Sequence, residues 1–400
     1  MLLDWEGVVA LPQMVSDARW QPLGYRSMAT SVGIHDSSLD FTVVHSTTPA
    51  AAAAVFTRNR FCGHPVTVGR DHVSDGRLQA VVVNSKNANV ATGPQGLADC
   101  RELCRLVGQA LDLNDRDVFP CSTGVIGRPL PMDRLRNGVR GLAGALRPGG
   151  LERFAEAILT TDTRPKLRSL RLGDATLFGC CKGSGMIAPD MATMLAFFFT
   201  DASLEAGSLD RALRRAVDAS FHLVSVDGDT STSDTAVVLA NGQAGPVEPE
   251  AFADALASMA IELAQEIARD GEGATKLLRA EVAGAPDTAA ARAAARAIIA
   301  SPLVKTAVWG GDPNWGRVAM AIGKCFDLAL DPDRIRIAFG SVPVYDGRDL
   351  GPDAVDRLAA YLRGDEVCIS VDLRLGQAAA TAWGCDLSPA YVRINGEYTT

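Results

Sequence analysis

The chain contains few of the residues that usually carry metal and disulfide chemistry. Only five of its 400 residues are histidine, and none stands in an HxxxH or HExxH arrangement. Its nine cysteines are odd in number and include no CxxC pair, which argues against a zinc centre or a disulfide framework. We therefore expect reduced thiols and no bound metal.

Basic clusters and long apolar runs are also missing. The formal net charge is −8, and without a basic face nucleic acid is not an expected partner. The longest uninterrupted apolar run ends at Phe199, far short of the roughly 20 residues that span a bilayer. The N-terminal stretch carries acids early and does not look like a signal peptide. We expect a soluble, cytoplasmic protein with no membrane partner.

The residues that are present predict an α/β chain. Hydrophobic residues make up 47% of the sequence, which is enough to bury a sizeable core. Helical spacing of apolar residues predicts helices around Leu97–Leu111 and Phe252–Ile267, and DTAAARAAARAIIASP and the alanine-rich TPAAAAAVF are interpreted as two more. Short β-branched runs predict strands, and these are LQAVVVNS, TAVVLANG, VKTAVWGG, RIRIAFG and EVCISVDL. The loops NGQAGPVEPE and GAPD indicate a sub-domain boundary, which we place near residues 280–300.

Three loop motifs are candidate sites. GSGMIA fits a loose dinucleotide-binding pattern with Asp201 downstream, but Pro189 follows at once and no amphipathic helix period appears, so a turn is favoured. DGDTSTSDT, from Asp227 to Thr235, lacks the glycine and glutamate of a calcium loop, and it is either a polar turn or the lining of a site. CSTGVIGR is typical of a cradle for an anion or oxyanion, whereas GGDPNWGR is favoured as a structural turn.

The step from Ala192 to Thr193 has a chemical interpretation of its own. A threonine hydroxyl is a poor nucleophile until a base is close to it, and a free α-amine on the same residue can be that base. Such an amine appears if the chain breaks just before the threonine, and the same hydroxyl can cause the break by attacking the preceding carbonyl. The small Ala192 permits this attack, although a threonine packed in a strand is the simpler interpretation.

Several blocks of the chain support the cleavage interpretation together. In order, from about Asp40 to Thr400, they are AAVFTRNR, NSKNANVATG, STGVIGR, LTTDT, KGSGMIAPDMATML, VDGDTSTSDTAVVLANG, DGEGATK, SPLVKTAVWGGDPNWGRVAMAIGK and YVRINGEYTT. These blocks resemble, in content and order, those of the ornithine acetyltransferases, the bifunctional glutamate/ornithine N-acetyltransferase family. The fourteen-residue block KGSGMIAPDMATML is similar to the self-cleavage motif of that family.

The resemblance implies a fold and a maturation step. It implies a layered α/β sandwich of the ornithine acetyltransferase type, made as a precursor that cleaves itself between Ala192 and Thr193. Residues 1–192 would form an N-terminal fragment and residues 193–400 a C-terminal fragment that begins with the nucleophile. The two fragments would stay associated, and two copies of each would form a heterotetramer.

The resemblance also implies a reaction. Thr193 would take an acetyl group from N2-acetyl-L-ornithine and pass it to the amine of L-glutamate, with Thr123 and Gly124 donating to the oxyanion. Lys182 suits an α-carboxylate, and Glu272 suits an ornithine-type ammonium. The substrate-binding residues implied by the family are Thr160, Thr161, Lys182, Thr193, Glu272, Asn395 and Thr400. No metal or cofactor is implied, and acetyl-CoA stays open as an alternative acetyl donor.

Two positions depart from the family pattern. Lys86 stands where a glycine is expected, and Asp190 stands where members of the arginine pathway usually carry asparagine. Asp190 and TTDTRPK are more similar to paralogues in secondary-metabolite clusters, such as the one beside clavulanic acid biosynthesis. The acceptor and the pathway therefore stay open, together with three alternatives: an acyl hydrolase or amidase of the same fold, an uncleaved non-catalytic paralogue, and a nucleotide-binding oxidoreductase that uses GSGMIA.

Overall fold

The structure is a computed structural model that describes residues 14–35, 37–188 and 194–397. Its strands are β1 (Met14–Val15), β2 (Tyr25–Thr30), β3 (Phe41–Phe56), β4 (Arg77–Asn84), β5 (Val118–Ser122), β6 (Arg147–Pro148), β7 (Lys166–Leu172), β8 (Ala175–Lys182), β9 (Leu195–Ser203), β10 (Val224–Ser225), β11 (Thr235–Pro246), β12 (Leu277–Ala285), β13 (Arg336–Phe339), β14 (Val342–Asp346), β15 (Glu366–Asp372) and β16 (Ala378–Cys385). Its α-helices are α1 (His64–His72), α2 (Gly93–Leu111), α3 (Met132–Val139), α4 (Leu142–Ala145), α5 (Leu151–Ala157), α6 (Ala206–Ala219), α7 (Pro249–Arg269), α8 (Thr288–Ile299), α9 (Pro302–Gly310), α10 (Trp315–Ile322), α11 (Pro352–Leu358) and α12 (Pro389–Glu397).

The larger of two sheets has β9 and β11 at its centre. These two strands run parallel, with β8 on the outer side of β9 and β3 on the outer side of β11. The alternation of side chains along β9 buries both faces of the sheet: Phe197 and Phe199 belong to one core cluster, and Phe198 belongs to the other. The phenylalanine run is therefore a strand buried on both faces.

The smaller sheet lies on the other side of a helical layer. Its strand order is β10-β16-β12-β15-β13-β14. Helices α6 and α7 pack against each other, α6 contacts β3 and β11, and α7 contacts strands of both sheets. Along β12, Leu278, Ala280 and Val282 are buried, whereas Arg279 and Glu281 lie on the more exposed face. The prediction of a layered α/β fold is confirmed.

Most of the elements predicted from hydrophobic periodicity are confirmed. The predicted strands LQAVVVNS, TAVVLANG, RIRIAFG and EVCISVDL correspond to β4, β11, β13 and β15. The three periodic helices correspond to α2, α7 and α8, and Asp287 caps α8 by accepting a hydrogen bond from the N–H of Ala290. The division at residues 192 and 193 and the boundary near residues 280–300 stay predictions.

The helix predicted for TPAAAAAVF is wrong, because this segment is the second half of β3. Residues Ala51–Phe56 pair with β11 in antiparallel register. Helix α6 packs on this part of the sheet, and alanine side chains leave room for that approach. Tertiary pairing here overrides the high helix propensity of alanine.

The strand predicted for VKTAVWGG is also wrong, because this segment belongs to helix α9. The Ser301 hydroxyl accepts a hydrogen bond from the Val304 N–H at the start of the helix, Pro302 occupies the first turn, and Gly311 ends the helix in a left-handed conformation. These residues are typical start and stop signals of a helix. The β-branched content of the segment outweighed those signals in the prediction.

The GSGMIA segment lacks the helix that a dinucleotide site requires. It follows β8 as an irregular turn, and the next described element is strand β9. Asp201 accepts hydrogen bonds from the main-chain N–H groups of Leu23 and Thr176, so its carboxylate is used within the fold. The turn interpretation agrees with the structure.

Within the described ranges, no helix is both long and apolar enough to cross a membrane. No group of three or more histidine, cysteine, aspartate or glutamate side chains in those ranges is placed to hold a metal ion. All nine cysteines fall in those ranges, and each is a free thiol.

Candidate active site

Lys182 lies at the centre of the candidate site, as the last residue of β8. Its side chain is buried, with 2% of the residue exposed. Its Nζ atom lies 3.3 Å from Oγ1 of Thr123, which follows directly after β5. The ends of two distant strands are thereby joined through two residues that the sequence placed in the site.

The turn at Thr123 and Gly124 has the geometry of a hydrogen-bond donor cradle. The N–H of Thr123 donates to the carbonyl of Asn84 at 3.1 Å, so its hydroxyl is the group left for a substrate. The N–H of Gly124 has no acceptor within the described residues. Gly124 has φ of 129°, and a Cβ atom there would lie 2.3 Å from the main-chain carbon of Lys86. Only glycine fits this position.

Lys86, which departs from the family pattern, takes part in the same region. Its φ is 71°, a left-handed conformation that glycine adopts without strain and lysine does not. Its Nζ atom donates to the carbonyl of Thr160 at 3.4 Å. The side chain that replaces the expected glycine therefore contacts the segment that contains Thr160 and Thr161.

A buried network of charges fixes that segment. Lys166 donates to Asp162 at 2.7 Å and to Asp270 at 2.5 Å, and the three side chains are between 0% and 2% exposed. Asp162 also accepts a hydrogen bond from the N–H of Gly183 at 2.6 Å. Burial alone would raise the pKa of Asp162, but Lys182 and Lys166 hold it well below its usual range. The network ties residues 160–166 to the turn that follows Lys182.

Ser184 joins two further predicted site residues. Its hydroxyl lies 2.8 Å from the hydroxyl of Thr161, and its carbonyl accepts a hydrogen bond from the N–H of Glu272 at 2.8 Å. The side-chain amide of Asn395 on α12 donates to the Glu272 carboxylate at 2.8 Å. A Cβ atom on Gly185 would lie 2.4 Å from Cδ of Glu272, so this glycine leaves room for the carboxylate.

Two aspartates of the DGDTSTSDT motif hold the chain on either side of residues 189–193. Asp227 accepts hydrogen bonds from the N–H groups of Met186 at 2.6 Å and Ile187 at 2.8 Å. Asp234 accepts a hydrogen bond from the N–H of Met194 at 2.9 Å. The nitrogen of Met194 belongs to the peptide bond that follows Thr193. The motif therefore holds both flanks of the predicted cleavage site.

Asp234 lies in an unusual environment for a carboxylate. The residue is fully buried, and its second oxygen has no hydrogen-bond partner within the described residues. The nearby Thr57 hydroxyl donates to the carbonyl of Ser231 instead. Burial raises the pKa of Asp234 well above its usual value, against the opposite effects of the Met194 N–H and Lys182. Such a raised pKa in a carboxylate that holds one flank of the predicted cleavage site is typical of a functional group.

The charge on Lys182 is balanced by its neighbours. Burial lowers the pKa of this lysine, and Lys166 adds to the decrease. Asp162, Asp234 and Glu272 act in the opposite direction and favour the ammonium form. The net result is a lowered pKa for Lys182, and in its ammonium form this lysine can donate to a carboxylate of a ligand.

The structure brings together seven of the residues predicted from the sequence. They are Thr123, Gly124, Thr160, Thr161, Lys182, Glu272 and Asn395, and their roles in the reaction stay predictions. The other predicted site residues, Ala192, Thr193 and Thr400, lie outside the described residues, as does Asp190.

Other residues of the site were missed by sequence reasoning. Nothing in the sequence marks Lys166 and Asp270 as buried, because the pairing of charges between distant segments leaves no local pattern. Asp227 and Asp234 lie in the motif already recognised as a polar turn or site lining, and their density of acid and hydroxyl groups was the available signal.

Comparison with known proteins gives a family match over most of the chain. The profile of the ArgJ family matches residues 26–400, and so begins earlier than the blocks from Asp40 onward. The chain is 50% identical over 385 residues to "Glutamate N-acetyltransferase Oat2" of Streptomyces clavuligerus. This alignment covers 95% of this chain and 98% of that protein.

Two further similarities extend this match. The chain is 47% identical over 381 residues to "Arginine biosynthesis bifunctional protein ArgJ" of Thermus thermophilus, covering 95% of this chain and 99% of that protein. A solved chain of the Bacillus halodurans protein described by the same words is 42% identical, with a TM-score of 0.47. That alignment covers 50% of this chain and 96% of the solved one.

Proposed function

The chain belongs to the ArgJ family, and from this premise we propose that it is a self-processing N-acetyltransferase. It transfers the acetyl group of N2-acetyl-L-ornithine to the amine of L-glutamate. The observation that carries this proposal is the 50% identity, along nearly the whole chain, to a protein named as a glutamate N-acetyltransferase. The clustering of the predicted substrate-binding side chains around Lys182 supports it.

Self-processing begins with the hydroxyl of Thr193. Its oxygen attacks the carbonyl carbon of Ala192, the carbon–nitrogen bond breaks, and the nitrogen takes up a proton and becomes a free α-amine. Water then hydrolyses the resulting ester and restores the hydroxyl. Asp227 and Asp234 act as positioning residues in this step, because they hold the main chain before and after the bond that breaks.

Acetyl transfer then uses the same hydroxyl as nucleophile. The α-amine of Thr193 accepts its proton while the oxygen attacks the acetyl carbonyl of the donor, and ornithine leaves. The hydroxyl of Thr123 and the N–H of Gly124 stabilise the oxyanion, an interaction for which losing one donor typically costs about 10²–10³ in rate. The amine of glutamate next attacks the acetyl-threonine ester, which gives ping-pong kinetics.

The charged groups around this nucleophile recognise the amino-acid substrates. Lys182 binds the α-carboxylate, and Glu272, held by Asn395, binds the side-chain ammonium of ornithine. The hydroxyls of Thr160 and Thr161 supply neutral contacts. Thr400 completes the set of substrate contacts.

Mass analysis of the purified protein under denaturing conditions tests the maturation step. Two fragments that meet between Ala192 and Thr193 are expected, and Thr193→Ala should remain a single chain. A wild-type chain that stays intact after long incubation would contradict self-processing and favour a non-catalytic paralogue. Asp229→Ala, which changes an exposed side chain of the same motif without removing the nucleophile, serves as the control for folding.

Incubation with N-acetylornithine tests the reaction. Acetylglutamate should form only when glutamate is present, whereas acetate release independent of the acceptor would indicate a hydrolase. Replacing the donor by acetyl-CoA measures whether this thioester is used. A screen of glutamate, ornithine and arginine as acceptors decides between the arginine pathway and a secondary-metabolite role.

The proposed partners are the chain's own fragments. The two fragments remain associated, and two copies of each form a heterotetramer. Native mass spectrometry of the cleaved protein tests this assembly, and a mass equal to one copy of each fragment would contradict the tetramer.

A further inference from the structure

A second concave region lies on the outer edge of the large sheet. It is a cavity of about 650 Å³ between strand β2 and the segment that runs from α3 to α5. None of the residues assigned above to the acetyl-transfer site lines it. Its volume is within the range of about 300–1,000 Å³ that is typical of small-molecule sites.

The charge of this cavity has one sign. Four of its lining residues are arginines, Arg134, Arg140, Arg147 and Arg153, and no aspartate or glutamate is among the described residues that line it. They come from different parts of the chain: α3, the turn after α3, β6 and α5. In a protein with a net charge of −8, such a grouping makes a local positive region in an acidic molecule.

These arginines are not used by the fold as ion pairs. The side chains of Arg134, Arg140 and Arg153 have no hydrogen bond or ion pair with the residues that the structure describes, whereas Arg147 donates to main-chain carbonyls. Arg136, on the same helix as Arg134, is paired with two carboxylates. The two sides of α3 therefore differ: among the described residues, Arg136 has carboxylate partners, and Arg134, toward the cavity, has none.

Other groups in the cavity suit a ligand with an organic part. Met28, Val32 and Ala145 supply an apolar wall, and the side-chain amide of Asn137 adds a polar group. Strand β2 pairs with β6 at a single residue pair, so the outer edge of β2 leaves main-chain groups for a ligand. Gly138 allows α3 to lie close to the segment that follows this strand, since a Cβ atom there would be 2.6 Å from Cγ1 of Val32.

We propose that this cavity binds a small molecule that carries at least two phosphate groups, with the four arginines on its phosphates and the apolar wall beside its organic part. The planar guanidinium forks match phosphate oxygens in a bidentate manner. A single inorganic phosphate would leave most of the cavity empty. An extended polyanion such as nucleic acid is disfavoured, because the rest of the chain carries an excess of negative charge.

Titration calorimetry of the full, cleaved protein at low salt tests the proposal. The probes are ADP, which has both features, pyrophosphate, which has only the charge, and adenosine, which has only the organic part. We expect ADP to bind more tightly than pyrophosphate and adenosine to bind at least tenfold more weakly than ADP. ADP binding should weaken as salt is added, because the contacts are ionic.

The double variant Arg134→Gln/Arg140→Gln should weaken ADP binding at least tenfold. Its matched control is Arg101→Gln/Arg348→Gln, which removes the same charge from two exposed arginines outside the cavity and should bind ADP like the wild type. Absence of ADP binding to the wild type at millimolar concentration, equal binding by the double variant, or adenosine binding as tight as that of ADP would each overturn the proposal.

The result is independent of the acetyltransferase proposal. The double variant should cleave itself and transfer acetyl groups at the wild-type rate in the absence of nucleotide, since neither arginine lies among the site residues. Loss of ADP binding with retained acetyl transfer supports the cavity proposal. A protein that binds ADP through these arginines but transfers no acetyl group would contradict the proposed enzyme and leave the cavity proposal standing.

Discussion

The hydrogen bond from the Met194 N–H to Asp234 gives a sharp test of how the cleavage site is held. In Asp234→Ala this buried N–H loses its acceptor, and leaving a buried donor unsatisfied costs about 1–3 kcal/mol. If all of that energy serves to hold the peptide in the geometry of attack, self-cleavage slows by roughly 5- to 150-fold, since about 1.4 kcal/mol corresponds to a factor of ten. Any part of the energy that does not act on this geometry makes the slowing of self-cleavage smaller than this range.

The variant Asp234→Asn keeps an oxygen that can accept the hydrogen bond but removes the ionisable carboxyl. It therefore tests these two properties of Asp234 separately. The amide oxygen of asparagine can accept the same hydrogen bond from Met194 at nearly the same place, so this variant should cleave within about fivefold of the wild-type rate by the same energy argument. Asp229→Ala is the matched control, because Asp229 belongs to the same motif but is exposed. It should cleave at the wild-type rate.

The assay is a time course of fragment appearance after rapid expression, followed by mass spectrometry under denaturing conditions. Circular dichroism of each variant checks that it is folded. If Asp234→Ala cleaves itself at the wild-type rate, the proposal that Asp234 holds the peptide in the geometry of attack is refuted. Equal slowing in the asparagine and alanine variants would also refute it, because the oxygen that accepts the hydrogen bond is present in only one of them.

Three further predictions concern the buried charges and the donor turn. Lys166→Met should lower the free energy of unfolding by about 3–5 kcal/mol at pH 7, measured by chemical denaturation, because it leaves Asp270 buried without its cation and Asp162 with Lys182 alone. Acid titration of the wild type should show that the stabilisation from Asp162, whose pKa is depressed, is complete above its unfolded pKa near 3.9 and is lost only as pH falls below it. In Lys166→Met this loss should be smaller, because the pKa of Asp162 in the folded state is less depressed without Lys166, and an unchanged acid profile would contradict the pairing. Gly124→Ala should reduce acetyl transfer by about 10²-fold or more, because its Cβ atom would meet main-chain atoms. Gly144→Ala, where a Cβ atom has free space and the backbone is not in the left-handed region, should keep most of the activity, and equal losses would contradict the assigned donor.

The layered fold was predictable where the sequence carried a clear period. Helices α2, α7 and α8 show apolar residues at helical spacing with recognisable ends, and β4, β11, β13 and β15 show short β-branched runs. The predictions for TPAAAAAVF and VKTAVWGG were wrong because the secondary structure that the residue types favour differs from the one that their surroundings in the fold impose. The alanines of β3 favour a helix by themselves but pair with β11 in the sheet, and the β-branched residues of α9 lie between a serine cap and a glycine stop.

The candidate site was predictable mainly through family resemblance. Physical reasoning from the residues alone left Thr193 a minority interpretation and gave CSTGVIGR only as one of many turns of this kind. The contact between Lys182 and Thr123 joins strands far apart in sequence, and no local pattern predicts such a meeting. The pairing of Lys166 with two aspartates is hidden for the same reason, because burial of charge depends on the whole fold.

The order of strands in the large sheet has a consequence for the lifetime of the cleaved protein. A cut after Ala192 would leave β9 and β11 in one polypeptide, inserted between β8 and β3 of the other. The two polypeptides could then separate only by breaking the sheet along two lines. Recovery from the denatured state would become a second-order process whose rate rises with protein concentration, whereas the uncut precursor would refold at a rate independent of dilution. Cleavage would thus make refolding depend on two polypeptides meeting, so a dilute cleaved protein would recover its fold more slowly than the precursor.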